Sequence, residues 1–316
     1  MYSYENYHKV KAALEERRNA ARAAAEARNE ELRMRSPEIR KIDEELSGTG
    51  LLIFKTACSG GDITPIRKRN EELTRRRTEI IKSLGLPEDY TEVKYSCAKC
   101  SDTGYKPSGT MCTCLREDLI KATIASSGIG NLIDKQSFDN FRLDYYKDSP
   151  EVYERMKNNL ERAKDYVKRF ADRRNQLLLI GKTGTGKTHI TTAIAREIIS
   201  LGYDVIYDSM QNIISDFEAD KFHSGWGEHE SKAEKYLECD LLIIDDLGTE
   251  FINSFTVPCL YNLLNTRQNS GKATIISSNY SPEELRTKYD DRIYSRLVGR
   301  GSDVLVFEGK DRRIFR

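Results

Sequence analysis

Residues 181 to 188 constrain the fold most, since they run Gly-Lys-Thr-Gly-Thr-Gly-Lys-Thr. This stretch matches the phosphate-loop pattern G-x-x-x-x-G-K-[ST] at every fixed position, and glycines let consecutive backbone N–H groups turn toward a polyphosphate. An apolar run, Leu177 to Ile180, precedes the loop, and a helix-like stretch, Thr191 to Ser200, follows it. The strand–loop–helix context predicts a nucleoside-triphosphate site. The alternative is a glycine turn before an ordinary helix.

The residue types within the loop predict separate tasks. Lys187 would reach the β- and γ-phosphates, and the Thr188 hydroxyl would hold Mg²⁺. The other residues of this stretch predicted to contact the nucleotide are Gly181, Thr183, Gly184, Thr185, Gly186 and His189.

Acidic residues at a second strand end complete the pattern. Residues 241 to 246 run Leu-Leu-Ile-Ile-Asp-Asp, as expected of a Walker B element, so Asp245 would bind Mg²⁺ and Asp246 would polarise the attacking water. Aspartate is one methylene shorter than the glutamate common here, which predicts slow hydrolysis. Asn279 ends a further strand and would hold the water or sense the γ-phosphate; the alternative is a strand-end turn. Glu250 could assist, or be a solvated charge near a loop.

Length and composition exclude several classes of protein. The chain has 316 residues, of which 32% are charged, and none of its apolar runs approaches the roughly 18 residues of a membrane span. The first residues lack the apolar core of a signal peptide, so we expect a cytoplasmic protein with no membrane contact. With a net charge of +1, any nucleic-acid binding must use local patches.

Strand-like apolar runs alternate with helical stretches in the C-terminal two thirds of the chain. This alternation predicts an α/β fold with a parallel sheet that has helices on both faces, and places the phosphate site beyond the C-terminal strand ends. The runs are Leu177–Ile180, Asp204–Tyr207, Leu241–Asp245, Thr274–Ser278 and Val304–Phe307.

The first 90 residues are charged and helical. Tyr4 to Arg35 contains no glycine or proline, and Pro37 ends this helix or starts another. Gly48 and Gly50 are expected to break the helix that follows. Apolar residues recur every seven positions from Thr64 to Leu84, which predicts a second helix there. Two such helices predict an antiparallel coiled hairpin. It is either an arm that docks a protein partner or a solvated spacer.

A cysteine cluster lies between the helical region and the nucleotide region. Close pairs of thiolates can grip one tetrahedral ion, so the cluster predicts a structural Cys₄ zinc site. Reduced structural cysteines and an iron–sulfur cluster are the alternatives. The predicted ligands are Cys97, Cys100, Cys112 and Cys114, with turns of a small ribbon between the pairs.

Two arginines near the C-terminus are candidates for catalysis in a neighbouring subunit. Arg292 and Arg296 lie four residues apart on one predicted helix face. An arginine finger stabilises charge on the transferring phosphoryl group, and we favour Arg296 over Arg292 for that role. The alternative is a surface ion pair with Asp290 or Asp291. Arg313 could reach the nucleotide of its own chain, or simply belong to a basic tail.

These motifs together resemble the AAA+ ATPases of the initiator and helicase-loader clade. The resemblance rests on the phosphate loop followed by His189, on Leu-Ile-Ile-Asp-Asp-Leu-Gly, on Ser-Ser-Asn and on the Ser-Arg-Leu box. The segment from Ser137 to Phe141 resembles the one that lies near the adenine in that clade. The cysteine cluster is similar to the zinc-bearing part of DnaC/DnaI-type bacterial helicase loaders.

The residues and the resemblance together predict three regions: a partner-docking arm (1–90), a Cys₄ zinc module (91–118) and an AAA+ ATPase domain (119–316). The resemblance implies an ATPase with ATP, Mg²⁺ and Zn²⁺ that self-associates through the ATP site, binds a hexameric replicative helicase and contacts single-stranded DNA. The DNA contact would involve residues 209–232, where Lys221, Phe222, His223, Trp226 and Lys232 could supply charge and stacking, although acidic residues of the same stretch oppose it.

Two other functions fit the same motifs. One is a transposition helper ATPase of the IstB type, and the other is a non-hydrolysing, nucleotide-dependent binding module of a phage or mobile element. The zinc cluster and the helical arm favour the loader.

Overall fold

The computed structural model describes residues 2–172, 174–222, 231–299 and 301–311. The chain packs as two units, one formed by Lys11–Leu115 and the other by Met1–Val10 together with Arg116–Arg316. The predicted division into 1–90, 91–118 and 119–316 is a division by role, and it stays a prediction.

Long helices build the N-terminal part of the chain: α1 (Tyr4–Arg35), α2 (Pro37–Cys58) and α3 (Thr64–Ser83). Ser36 separates the first two, because its hydroxyl accepts the backbone N–H of Ile39 while Pro37 occupies the first turn of α2. Serine at the N-cap and proline directly after it are favoured at a helix start. Pro37 therefore starts a new helix, one of the two outcomes expected from the sequence.

Helices α2 and α3 form the predicted antiparallel hairpin. Glu38 pairs with Arg76 at 2.9 Å and Glu45 pairs with Arg69 at 2.7 Å, so the residue numbers rise on one helix as they fall on the other. These pairs are exposed and contribute little, so apolar burial holds the hairpin together. Its buried side chains, to which the end of α1 contributes, are Leu32, Ile39, Ile42, Leu73, Ile80 and Ile81.

The expectation that Gly48 and Gly50 break the helix is wrong. Helix α2 runs through both and ends at Cys58. A glycine in a helix interior costs about 1 kcal/mol relative to alanine, but it keeps the N–H that proline lacks. The packing of α2 against α3 outweighs that cost.

The remaining elements alternate between helix and strand. They are α4 (Thr113–Ser126), α5 (Leu132–Lys135), a 3₁₀ turn (Leu143–Tyr146), α6 (Pro150–Lys168), β1 (Gln176–Gly181), α7 (Lys187–Ser200), β2 (Val205–Ser209), α8 (Met210–Phe222), α9 (Glu234–Glu238), β3 (Leu241–Leu247), α10 (Thr256–Asn269), β4 (Ala273–Ser278), α11 (Pro282–Lys288), α12 (Asp291–Val298) and β5 (Ser302–Phe307).

The strands form one parallel sheet in the order β2-β3-β4-β1-β5, with Leu178 of β1 level with Ile276 of β4 and Val304 of β5. Alternate strand residues face opposite sides, so each face has its own core. Leu177 and Leu179 pack with α6 and α7, whereas Leu178 and Ile180 belong to the core that includes α8 and α10. The predicted α/β fold, a parallel sheet flanked by helices, is confirmed.

A helix that crosses a bilayer needs about 20 mostly apolar residues. Among the described residues, no helix is both long and apolar enough to cross one.

Candidate functional site

The phosphate loop joins the end of β1 to the start of α7, as its motif predicts. Gly184 and Gly186 adopt φ angles of +77° and +101°, which side chains rarely tolerate. A Cβ at Gly186 would lie 2.8 Å from the Tyr146 hydroxyl oxygen, and one at Gly184 would overlap the Asp311 side chain. Both positions therefore require glycine for backbone conformation and for space.

Hydroxyl groups hold the shape of the loop. The Thr185 hydroxyl donates to the carbonyl of Lys182 at 2.7 Å, and the Tyr146 hydroxyl donates to the carbonyl of Thr185 at 2.9 Å. Thr185 is thus part of the loop's internal structure. Thr183 is exposed, and Thr188 follows Lys187 in the first turn of α7.

Lys187 is a buried charge of the site, with 5% of its surface exposed. Its ammonium donates to the Gly181 carbonyl at 2.6 Å and to Asn279 Oδ1 at 2.7 Å. Asn279 in turn donates from Nδ2 to Asp246 Oδ1 at 3.3 Å. The structure therefore brings together three side chains that the sequence predicted separately, in a hydrogen-bonded chain from the phosphate loop through β4 to β3.

Two hydroxyl groups hold Asp245 at the end of β3. Tyr207, in the middle of β2, donates to Asp245 Oδ2, and Ser277 of β4 donates to Asp245 Oδ1. Ser277 Oγ also accepts the backbone N–H of Asp246 at 2.9 Å. Sequence reasoning missed both residues. Ser277 lies next to the C-terminal end of β4, where parallel sheets place their sites, whereas no such signal marks Tyr207 in the middle of β2.

Asp246 has an unusual backbone conformation, with a φ of +51°. Few residues other than glycine adopt this region, and such backbone strain clusters at functional sites. The strained turn directs the side chain toward Asn279, where the hydrogen bond forms.

Glu250 is a buried hydrogen-bond acceptor, with 5% of its surface exposed. It accepts the backbone N–H of Gly248 at 2.8 Å and the hydroxyl of Tyr289. Burial, followed by the neighbouring Glu250 carboxylate, raises the pKa of Tyr289. The expectation of a solvated charge is therefore wrong, and Glu250 ties the loop after β3 to the end of α11.

A cavity of about 600 Å³ adjoins the loop. His189 Nε2 lies 2.9 Å from both the Ser137 carbonyl and Asn140 Oδ1, so this nitrogen carries the proton and donates. Burial lowers the pKa of His189, which keeps the ring neutral near pH 7. The residues that line the cavity are Leu132, Lys135, Gln136, Asn140, Phe141, Arg142, Tyr145, Tyr146, Gly184, Gly186 and His189.

The two candidate finger arginines lie on α12 but differ in environment. Arg296 is half-buried and donates to the Tyr261 hydroxyl and to Asn265 Oδ1, both at 2.8 Å, whereas Arg292 is exposed. The Arg296 carbonyl accepts from Gln176 at the start of β1, so Arg296 lies at the sheet edge opposite to its own phosphate loop. Arg296 therefore cannot serve the nucleotide of its own chain. Arg313 lies outside the described residues.

Among the described residues, neither arginine forms the surface ion pair with Asp290 or Asp291 that was the alternative to a finger role. Asp290 accepts the N–H of Ile293 as the N-cap of α12, and Asp291 pairs with Arg286 at 2.8 Å.

Residues 209–232 are described only in part, since His223 and Trp226 lie outside the described residues, as does the Phe222 side chain. The Lys221 ammonium lies 5.1 Å from the centre of the Phe255 ring. Asp220 accepts the N–H of Lys232 at 3.0 Å, and Asp216 pairs with Lys235 at 2.9 Å. These two acids are therefore occupied within the protein.

The four clustered cysteines converge, with all four sulfur atoms within 4.8 Å of one another. Asp102 orders the first pair, since its carboxylate accepts the backbone N–H groups of Ser96 and Cys97, each at 2.9 Å. The N–H of Cys114 is the main cause that lowers the pKa of the Cys112 thiol to about 6. Zinc–sulfur bonds of about 2.3 Å in a tetrahedron separate the sulfurs by roughly 3.8 Å. The cluster therefore fits one tetrahedral ion.

Turns of the predicted small ribbon are present between the cysteine pairs. Tyr105 and Met111 form an antiparallel bridge, and the N–H of Gly109 donates to the Lys106 carbonyl at 2.9 Å. This expectation is confirmed.

The chain is similar to several known proteins. The family model described as IstB-like ATP binding protein matches residues 145–300. The phage-like element PBSX protein XkdC of Bacillus subtilis (strain 168) is 28% identical over 253 residues, covering 75% of this chain and 90% of that protein. The replicative helicase loader DnaC of Escherichia coli (strain K12) is 26% identical over 178 residues, which cover 56% of this chain and 69% of DnaC. A crystal structure of the DnaC helicase loader has a TM-score of 0.49 and 18% identity, covering 57% of this chain and 100% of that one.

Proposed function

We propose that the protein is an ATP-switched adaptor that loads a ring-shaped replicative helicase onto single-stranded DNA. The match of residues 145–300 to the family model described as IstB-like ATP binding protein supports the use of ATP. Binding of ATP would hold the helicase, and slow hydrolysis would time its release in the cytoplasm. Similarity to the replicative helicase loader DnaC supports this assignment. The observation that carries it is the hydrogen-bonded chain from Lys187 through Asn279 to Asp246.

This series of hydrogen bonds suits a switch, because Lys187 contacts both the phosphate loop and Asn279 at the C-terminal end of β4. When a γ-phosphate draws the Lys187 ammonium, the hydrogen bond to Asn279 must adjust, and Asn279 transmits the change to Asp246. We assign Thr188 and Asp245 to Mg²⁺, which supplies Lewis-acid stabilisation of phosphate charge when bound. Asp246 and Asn279 would orient the attacking water.

Assembly would complete the site in trans. A finger on α12 reaches only a neighbouring chain's nucleotide, since the end of this helix lies at the far edge of its own sheet. Arg296 stays the first choice, because Tyr261 and Asn265 order its guanidinium and each Nη group carries two N–H donors. Arg292, which is exposed, is the second.

Zinc would order the ribbon at residues 97–114. The cluster offers four thiolates and leaves no ligand position open, so the site would be structural rather than catalytic.

Contact with single-stranded DNA would use residues 209–232 of the assembled protein. The internal bonds of Asp216 and Asp220 remove two of the acids that weighed against this contact. Lys221 and Lys232 would then supply charge to the DNA backbone.

The helical region would bind the helicase. Leu52 and Phe54, on the distal half of α2, are 50% and 67% exposed and belong to no described core. Exposed apolar side chains of this size at a hairpin end suit a protein partner, which supports the docking role over the spacer.

A transposition helper is the second candidate, favoured by the match to the IstB-like family model. Affinity capture by the full chain separates the two, with the host's replicative helicase and the replicon's transposase offered in parallel, each with and without ATP. We expect ATP-dependent capture of the helicase and none of the transposase. The reverse result would assign the protein to transposition.

A further inference from the structure

The turn that begins at Asp246 contains two residues with a left-handed backbone. Asp246 has a φ of +51° and Gly248 has a φ of +107°. The backbone N–H and the hydroxyl of Thr249 both donate to the Asp246 carbonyl, at 3.2 and 2.9 Å. A positive φ costs free energy at a residue other than glycine, so the surrounding structure must hold Asp246 in this conformation.

Gly248 is held at both of its polar backbone groups. Its N–H donates to Glu250 Oε2 at 2.8 Å, and its carbonyl accepts from the Lys288 ammonium. The buried hydroxyl of Tyr289 in turn donates to Glu250. Two adjacent residues at the end of α11, Lys288 and Tyr289, therefore fix the turn from outside it.

Lys288 also contacts the segment that follows β4. Its ammonium donates to the Tyr280 hydroxyl at 3.0 Å and lies 4.3 Å from the centre of the Tyr280 ring. Tyr280 directly follows Asn279, whose Nδ2 donates to Asp246 Oδ1 at 3.3 Å. One ammonium therefore bonds to both strand-end segments that carry the Asn279–Asp246 pair.

The space around the turn is equally restricted. A Cβ added to Gly248 would lie 2.5 Å from the Tyr280 ring, so the turn and the Tyr280 side chain are in close contact. Lys288 is half-buried, and both of its acceptors are neutral oxygens. Hydrogen bonds from a charged donor are roughly twice as strong as neutral ones. Lys288 is therefore suited to hold the two segments at a fixed separation.

We propose that Lys288 is a positioning residue for ATP hydrolysis, which sets the position of Asp246 relative to Asn279 by bonding the Gly248 carbonyl and the Tyr280 hydroxyl. The inference rests on the proposed function, because that function assigns Asp246 and Asn279 to the attacking water. A displacement of about 1 Å in a positioned group can cost roughly 100-fold in rate. Loss of the ammonium should therefore slow the chemical step, while Lys187 and the phosphate loop still bind ATP.

The test compares steady-state ATP hydrolysis by the assembled full chain with ATP affinity from fluorescent-nucleotide titration. Lys288→Met should lower kcat by at least about tenfold, with ATP affinity within about twofold of the natural value. Lys288→Arg keeps a charged donor on a long stem and should retain most of the natural kcat.

Thr287→Ala is the matched control on the same helix. Thr287 is exposed, and its hydroxyl donates to the Glu283 carbonyl of α11 itself, so its removal should leave kcat and ATP affinity unchanged. If Lys288→Met lacks the natural circular dichroism spectrum, Tyr289→Phe takes its place. This variant removes the hydroxyl that holds Glu250 and should lower kcat by about threefold or more with ATP affinity preserved.

Three results would overturn positioning by Lys288. They are a natural kcat in the folded variant, a loss of ATP affinity that accounts for the whole loss of rate, and an Lys288→Arg variant as slow as Lys288→Met. Each of them leaves the helicase proposal standing, because ATP-dependent capture of the helicase is measured separately. Absence of hydrolysis by the natural chain in its assembled form would overturn both this inference and release timed by hydrolysis.

Discussion

Single side chains at the C-terminal edge of the sheet are each held by a neighbouring strand. Lys187 donates a hydrogen bond to Asn279, which directly follows β4. Asp245 accepts hydrogen bonds from Tyr207 of β2 and Ser277 of β4. Preorganised groups of this kind meet a developing charge without reorganising at the moment of reaction. Substitutions at these residues should therefore alter nucleotide and metal binding more than folding.

Lys187→Ala should weaken ATP binding by roughly 100-fold or more, because charge-assisted hydrogen bonds to phosphate are lost. Lys182→Ala is the matched control, since Lys182 belongs to the same loop but its side chain is exposed. Fluorescent-nucleotide titration measures both. Equal affinities of the two variants would show that Lys187 is not the phosphate ligand.

Tyr207→Phe should raise the Mg²⁺ concentration needed for tight ATP binding by about three- to tenfold, because the Asp245 carboxylate loses one of its two hydroxyl partners. Titration of Mg²⁺ at fixed ATP measures the effect. Tyr294→Phe, on α12, is the control and should change nothing. A lower Mg²⁺ requirement in Tyr207→Phe would mean that the hydroxyl competes with the metal instead of positioning its ligand.

At the scale of elements, periodicity and end signals predicted the architecture well. The helix from Tyr4 to Arg35, the start at Pro37 and the five strands follow from local patterns of apolar residues, serine and proline. The predicted helix break at Gly48 and Gly50 was wrong, because helix propensity is a weak preference that tertiary packing overrides.

Long-range contacts could not be predicted from the sequence in the same way. Arg267 is fully buried and donates to the carbonyls of Tyr236 and Cys239 and to the Thr274 hydroxyl. Burial lowers its pKa. Nothing local marks this arginine as a core residue, because its partners lie on other elements. The residues of the phosphate loop and the acids after Ile244 could be predicted, because sequence motifs mark them. The roles of Tyr207 and Ser277 could not be predicted, because no motif includes them.

The cysteine ribbon should carry about one zinc ion per chain, and Cys112→Ser should lose the ion and lower the melting temperature, because metal binding supplies folding free energy. Cys58→Ser is the matched control, since Cys58 is exposed and outside the cluster. Elemental analysis and thermal unfolding measure the two effects. A folded natural protein without bound metal would remove the zinc assignment.

At the scale of the whole molecule, we propose that the nucleotide site needs a second copy of the chain for catalysis. Arg296→Ala should leave ATP affinity unchanged and reduce assembly-stimulated hydrolysis by roughly 1,000-fold. It should also lower the melting temperature, because the contacts with Tyr261 and Asn265 are lost.

Arg292→Ala distinguishes the two arginines. If Arg292 is the finger, its variant loses hydrolysis with an unchanged melting temperature, and Arg296→Ala keeps most of its rate. Hydrolysis that is independent of protein concentration in the natural chain would contradict any finger in trans.

We propose that ATP controls the transfer of a helicase onto DNA. The most direct test of this control offers the full chain, the host's replicative helicase ring and closed circular single-stranded DNA, and then measures the helicase retained on the circles after a salt wash. We predict retained helicase with ATP, loader trapped beside the helicase with a non-hydrolysable analogue, and neither with Lys187→Ala. Helicase transfer that is equal with and without this protein, or with and without ATP, would contradict the account.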